Sequence, residues 1–146
     1  MDSASLRAYQ EVLDSVRSMN GTLVAVSPQS VEQTLSQVEK SSLVFPVIPD
    51  VGSSIALSFK LVYRVSPATE SLLRGFAIEL PVVNATDSWE LPVPATYVID
   101  RHGTIRHAFV DADYRKRLEP LDLLRELHKL QGPAEATSVA PRAARN

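Results

Sequence analysis

The chain has 146 residues, of which 45% are hydrophobic and 22% charged, with a net charge of −2 and no cysteine. That balance suits one globular domain large enough for a core. It gives no electrostatic reason for a nucleic-acid or membrane-surface partner, and it excludes disulfides, thiolate metal sites and thiol catalysis by the chain's own residues.

In chain order, Leu6, Tyr9, Leu13, Val16 and Met19 recur at helical spacing. Asp2 or Ser3 is placed to cap the start, and Asn20-Gly21 to stop the helix. Thr22 to Ser27 reads as a buried strand. Ser30-Val31-Glu32-Gln33 fits a capping box, with Val31, Leu35 and Val38 on one face of the helix that follows. Val44 to Ile48 is a short strand interrupted by Pro46, hence at a sheet edge. Asp50 caps a helix running to about Phe59, and Ser66-Pro67 opens another that Gly75 ends. Residues 77 to 91 read as irregular.

Tyr97-Val98-Ile99 is a β-prone run, Asp100-Arg101-His102-Gly103 is turn chemistry, and Thr104 to Phe109 returns as a strand. Pro94 lacks an N–H and belongs at a strand start or edge, and Pro92 and Pro94 hold Leu91 and Val93 extended. Pro120 begins a last helix with Leu123, Leu124, Leu127 and Leu130 apolar, stopped by Gly132-Pro133. Residues 133 to 146 are small and polar and are expected to be a disordered tail, leaving 1 to 132 as the domain. The order α-β-α-β-α-α-β-β-α, closed by a hairpin, indicates an α/β sandwich.

Chemistry-bearing residues are few. No apolar run reaches membrane-spanning length, and Met1 to Ser5 show no basic segment leading into an apolar one, so a cytoplasmic protein without a secretory signal is expected. Asn84-Ala85-Thr86 matches a glycosylation acceptor, which outside a secretory route is chance. His102, His107, Asp111 and Asp113 contain metal-ligand types, but a turn and a strand that leads into a polar loop favour solvated residues, and no metal or other cofactor is expected. Asp113 to Arg117 is a mixed charge run, either a loop of internal ion pairs or a partner-docking loop. Trp89, among Asp87, Ser88 and Glu90, is either core or the rim of a cleft.

Pro94-Ala95-Thr96-Tyr97-Val98-Ile99-Asp100 followed by Gly103-Thr104-Ile105-Arg106 resembles the C-terminal hairpin of the redoxin superfamily, in its alkyl hydroperoxide reductase/thiol-specific antioxidant (peroxiredoxin-like) branch. Leu23 to Gln29, Phe45 to Asp50 and Asp111 to Pro120 are similar to further segments of that branch in the same order, covering roughly residues 5 to 130. The resemblance implies a thioredoxin-like three-layer sandwich. It also implies that the first strand and its cysteine motif are missing, since this chain opens on the helix that follows them. A cis bond at Val93–Pro94 is implied, making Val93, Pro94, Ala95 and Thr96 the cleft and the first helix's start, with Asp2, Ser3 and Ser5, a vestigial site. A cis bond would make Pro94→Ala strongly destabilising. Ser3 or Ser5 standing in for the thiolate is weighed against simple capping, and capping is the better reading because neither has a base beside it.

The family activity so implied is thiol-dependent reduction of hydroperoxides, an antioxidant oxidoreductase chemistry in which a thiolate attacks the peroxide oxygen. The family's peroxide-polarising arginine, just before the strand that Thr96 begins, is replaced here by Pro94. Two readings remain: a catalytically inactive or truncated redoxin, and a non-catalytic binding or assembly module that holds a protein or peptide at the cis-proline groove. In the complete fold a strand would lie between Leu23–Val26 and Thr96–Ile99. Its absence predicts either direct pairing of those two strands or open edges that favour self-association.

Overall fold

The computed structural model describes residues 3–113 and 115–132. The proposed tail and Asp2 lie outside them. The elements are α1 (Ser3–Glu11), α2 (Leu13–Ser18), β1 (Ala25–Ser27), α3 (Val31–Ser41), β2 (Val47–Pro49), α4 (Ser54–Ser58), β3 (Val62–Arg64), α5 (Pro67–Gly75), α6 (Leu80–Asn84), β4 (Glu90–Pro92), β5 (Ala95–Ile99), β6 (Ile105–Val110) and α7 (Pro120–Lys129).

Local chemistry sets most of the boundaries. The first helical stretch breaks at Val12, a β-branched residue at φ −98° and ψ 4°, so the single helix expected from its spacing is two. It stops as expected. Asn20 takes φ 56°, its N–H bonds the Arg17 carbonyl, and the Gly21 N–H bonds the Val16 carbonyl, both at 2.9 Å. A Cβ on Gly21 would stand 2.9 Å from Val16 Cγ1, so that close approach requires glycine. Ser30 Oγ accepts from the Gln33 N–H and Ser66 Oγ from the Thr69 N–H, capping α3 and α5. Asp50 caps α4 from further upstream, its buried carboxylate accepting from the Ile55 and Ala56 N–H groups at 2.9 Å each and from the Ser54 hydroxyl at 3.1 Å. Gly103, at φ 81°, turns the β5–β6 hairpin.

The strands form three two-stranded ladders: β1 with β2, parallel; β3 with β4, antiparallel; and β5 with β6, antiparallel. The strand expected over Val44 to Ile48 is regular only over Val47–Pro49, with Pro46 before it accepting from the Ala25 N–H through its carbonyl. The segment read as irregular holds α6 and β4, and β3 was also not foreseen. These pieces are three to five residues long and two of them carry proline, too short for any periodicity to register. The strand expected over Thr22 to Ser27 is regular only from Ala25.

Three apolar clusters hold the layers. Leu6 and Leu13 pack with Ala25, Leu43 and Phe45; Val65, Leu80 and Trp89 form the second; Val98, Leu118 and Leu123 form the third, with Tyr9, Phe109 and Leu127 against it. α1 thus serves two clusters. On α3 the expected apolar face is only partly right. Val38 packs on the first cluster, whereas Val31 and Leu35 are exposed and the helix buries Thr34 and Ser41. α3 is turned to bring the Thr34 hydroxyl toward the Gln29 carbonyl, 3.5 Å away.

Candidate functional site

The β5 end of the expected site is built by the strand Ala95–Ile99 and the residues leading into it. The Val93 N–H donates to the Leu61 carbonyl at 2.7 Å, and the Pro94 carbonyl accepts from the Asp111 N–H at 3.4 Å. The chain runs extended from β4 into β5 through these bonds and no reversal is needed. Among the described residues no peptide bond is cis, so Val93–Pro94 is trans, correcting the isomer that the resemblance implied. Trans is the favoured isomer of an X–Pro bond by about 0.5–1 kcal/mol, and nothing in this path opposes it. Pro94 does sit immediately before a strand, as its missing N–H predicts.

Thr96 is brought to the first helix by Tyr9. The Tyr9 hydroxyl donates to the Leu118 carbonyl at 2.6 Å and lies 3.4 Å from Thr96 Oγ1. Burial raises the Tyr9 pKa above its ordinary value, the Thr96 hydrogen bond and Arg117 opposing it. The group is therefore a neutral hydrogen-bonding strut and not a base. Ser5 is half-buried and lies four residues before Tyr9, on the same face of α1; Ser3 is the first residue of that helix. Sequence spacing marked Tyr9 only as an apolar helical position. Its partner lies 109 residues away, and no local signal reports that.

The histidines and aspartates do not converge. His102 is in the β5–β6 turn, where its N–H donates to Asp100 Oδ1, while Asp111 and Asp113 follow the far end of β6. Among the described residues no group of three or more His, Asp or Glu side chains is placed to hold a metal ion. His107 is instead opposite α7, with Nδ1 3.6 Å from Glu126 Oε2 and Nε2 buried without a hydrogen bond. No serine or threonine hydroxyl among the described residues is bonded to it, so it activates no nucleophile.

The charge run is closed on itself. Arg115 bonds Asp113 through Nε and its terminal nitrogen at 2.9 Å each, and Lys116 stands 3.3 Å from Asp111. The Arg115 side-chain bond, with the Arg115 backbone N–H, lowers the Asp113 pKa to about 2. Asp100 is also held below the usual carboxylate range, chiefly by the Thr104 N–H and then by Arg106. Trp89 is core, with 7% of its surface exposed and the Arg74 guanidinium 4.4 Å from its ring centroid. A surface groove of about 530 Å³ lies between the end of α2 and α7 and touches none of the expected site residues.

The site therefore offers hydroxyls and backbone edges, with no thiol, no imidazole–hydroxyl pair and no metal-binding cluster among the described residues. Among the described residues, too, no helix is long and apolar enough to cross a membrane.

Comparison with known proteins agrees with this frame. Over 89% of its length and 70% of the other chain, the structure superposes on Xylella fastidiosa PrxQ, solved as a cysteine-to-serine mutant, with a TM-score of 0.61 at 16% identity. That likeness shows a thioredoxin-like fold. No match is found among curated proteins. The profile of the AhpC/TSA family matches residues 3–108, most of the chain, and this protein belongs to the AhpC/TSA family.

Proposed function

We propose that this chain is a peroxiredoxin-like protein that does not itself reduce hydroperoxides. The observation that carries the reading is the absence of cysteine from all 146 residues. The family's reaction needs a thiolate to displace one peroxide oxygen and a second thiol to reduce the sulfenic acid formed. Pro94, standing where the resemblance places a peroxide-polarising arginine, supports the same reading. Ser3 and Ser5 are read as helix-start residues and not as stand-ins for the thiolate, since the sequence around them carries no His or Lys to serve as a base. A cytoplasmic location belongs to the same proposal; the lack of any disulfide is in keeping with it.

The test is a coupled assay with hydrogen peroxide, thioredoxin, thioredoxin reductase and NADPH. The expected result is NADPH oxidation equal to that of a heat-killed control. Protein-dependent oxidation above the control would overturn the proposal.

A binding or assembly role is the second reading, favoured by the half-buried start of β5. With a net charge of −2, a protein or peptide suits that role better than nucleic acid or a membrane surface. Self-association through open strand edges belongs to the same reading and is measured by sedimentation.

A further inference from the structure

Two backbone bonds and one close contact build the stop of α2. Asn20 stands in the left-handed region at φ 56°, its N–H donating to the Arg17 carbonyl, while the Gly21 N–H donates to the Val16 carbonyl, both at 2.9 Å. Gly21 lies so near Val16 that a Cβ on it would meet Val16 Cγ1 at 2.9 Å and the Val16 carbonyl oxygen at 3.0 Å. Val16 is buried core, so it has little room to give way, whereas Asn20 is exposed to water. The same two residues carry a reactive chemistry. Asparagine is among the thermolabile side chains, and a glycine after it leaves the next backbone nitrogen unshielded by any Cβ.

In an opened chain the Gly21 nitrogen gives up its proton to hydroxide and attacks Asn20 Cγ. A Cγ–N bond forms, the Cγ–Nδ2 bond breaks, and Nδ2 leaves as ammonia with a proton from water. Water then hydrolyses the five-membered imide, and no electrons change hands. Cleavage at Cγ restores the main chain with an aspartate at position 20. Cleavage at the main-chain carbonyl carbon leaves the backbone running through Cβ and Cγ, one methylene longer, as an isoaspartyl linkage. In the folded chain the proton that must leave is the one donated to the Val16 carbonyl. Removing it breaks the bond that ends the helix, so the stop and the reaction exclude each other.

We propose that Asn20-Gly21 is a latent deamidation site, closed while the stop of α2 is formed and reactive whenever that end of the helix opens, and that its products do not restore the stop. An aspartate at position 20 sets a negative charge beside the terminal carbonyls of α2, which weakens the stop. The longer isoaspartyl backbone displaces Gly21 from Val16, where the contact leaves no slack. Asn84 is not an equivalent site. It is 4% exposed, and the Cβ of Ala85 shields the nitrogen that would attack. The reaction is independent of hydroperoxide chemistry and is read by mass and not by turnover.

The full chain is incubated in mildly alkaline buffer, folded and in denaturing urea. Peptide mapping by mass spectrometry locates each amide turned acid, and methyl-transfer labelling specific for isoaspartyl linkages counts that product. Conversion at Asn20 is expected to be at least about tenfold faster in urea, because the folded rate is scaled down by the fraction of chains open at the stop. Asn84 should lag behind Asn20 in urea. The converted chain, separated by its added negative charge, should unfold at a lower urea midpoint than the unconverted one. Asn20→Gly keeps a residue suited to the left-handed position and has no amide, so its midpoint should survive the same incubation unchanged. Equal rates in the folded and unfolded chain, no conversion at Asn20 in urea, conversion of Asn84 ahead of Asn20, or a converted chain with an unchanged midpoint would overturn the proposal. The ratio of folded to unfolded rates needs no variant and decides alone if Asn20→Gly does not fold.

Discussion

The Tyr9 hydroxyl donates to the Leu118 carbonyl across 2.6 Å, tying the first helix to the loop that leads into the last one, 109 residues later. Tyr9→Phe removes this donor and leaves the ring in place. The expected loss is about 1 kcal/mol, read as a lower urea midpoint with unchanged slope. Because burial raises the Tyr9 pKa, the folded state holds its proton more tightly than the unfolded state does. Its contribution is thus full below pH 10 and lost as pH rises through the raised folded value. The wild-type chain should lose more stability across that alkaline window than Tyr9→Phe does.

Asp113 is expected to titrate at about 2 in a carboxyl NMR titration, since Arg115 bonds both its oxygens. A depressed carboxylate favours the folded state above its unfolded value of 3.8, and this is lost as pH falls through about 2. Arg115→Gln should move the titration upward toward 3.8 and leave that of Asp100, held by Thr104 and Arg106, unchanged.

Asp50→Ala strips three donors of their acceptor at the start of α4, two of them backbone N–H groups. A loss of about 1–3 kcal/mol is expected in urea unfolding. Asp50→Asn keeps one acceptor oxygen and should fall between Ala and wild type.

Trp89→Ala should cost about 3–5 kcal/mol, because the ring lies in a cluster with Val65 and Leu80. A rim aromatic would cost far less. Far-UV circular dichroism is the readout, since the variant removes the only tryptophan.

What the sequence made legible was local. The caps at Ser30, Ser66 and Asp50, the Asn20-Gly21 stop and the Gly103 turn each depend on residues within six positions, and each is found in the fold. β3, α6 and β4 were not legible, because segments of three to five residues carry no measurable period. Val31 and Leu35 follow helical spacing and yet are exposed, because α3 buries Thr34 and Ser41 instead, and hydropathy does not mark those two. At the candidate site, the start of α1 and the start of β5 were both marked, but the residue that joins them, Tyr9, was not. The isomer at Val93–Pro94 was carried over by resemblance and depends on how β4 feeds β5, which spacing does not encode.

Because α1 belongs to two of the three apolar clusters, the one built on Val65, Leu80 and Trp89 stands apart. Val65, Leu80 and Trp89 reach the remainder through thin ties: the Val83 carbonyl accepting from Ser30, the Leu61 carbonyl accepting from Val93, and the Leu61 N–H donating to the Ala56 carbonyl. The segment from Leu61 to Pro92 is then a separate cooperative unit, free to open while the two clusters on α1 stay closed. Among the described residues, protease cleavage and hydrogen exchange under native conditions should begin there, which puts the most labile part of the described fold in the middle of the sequence.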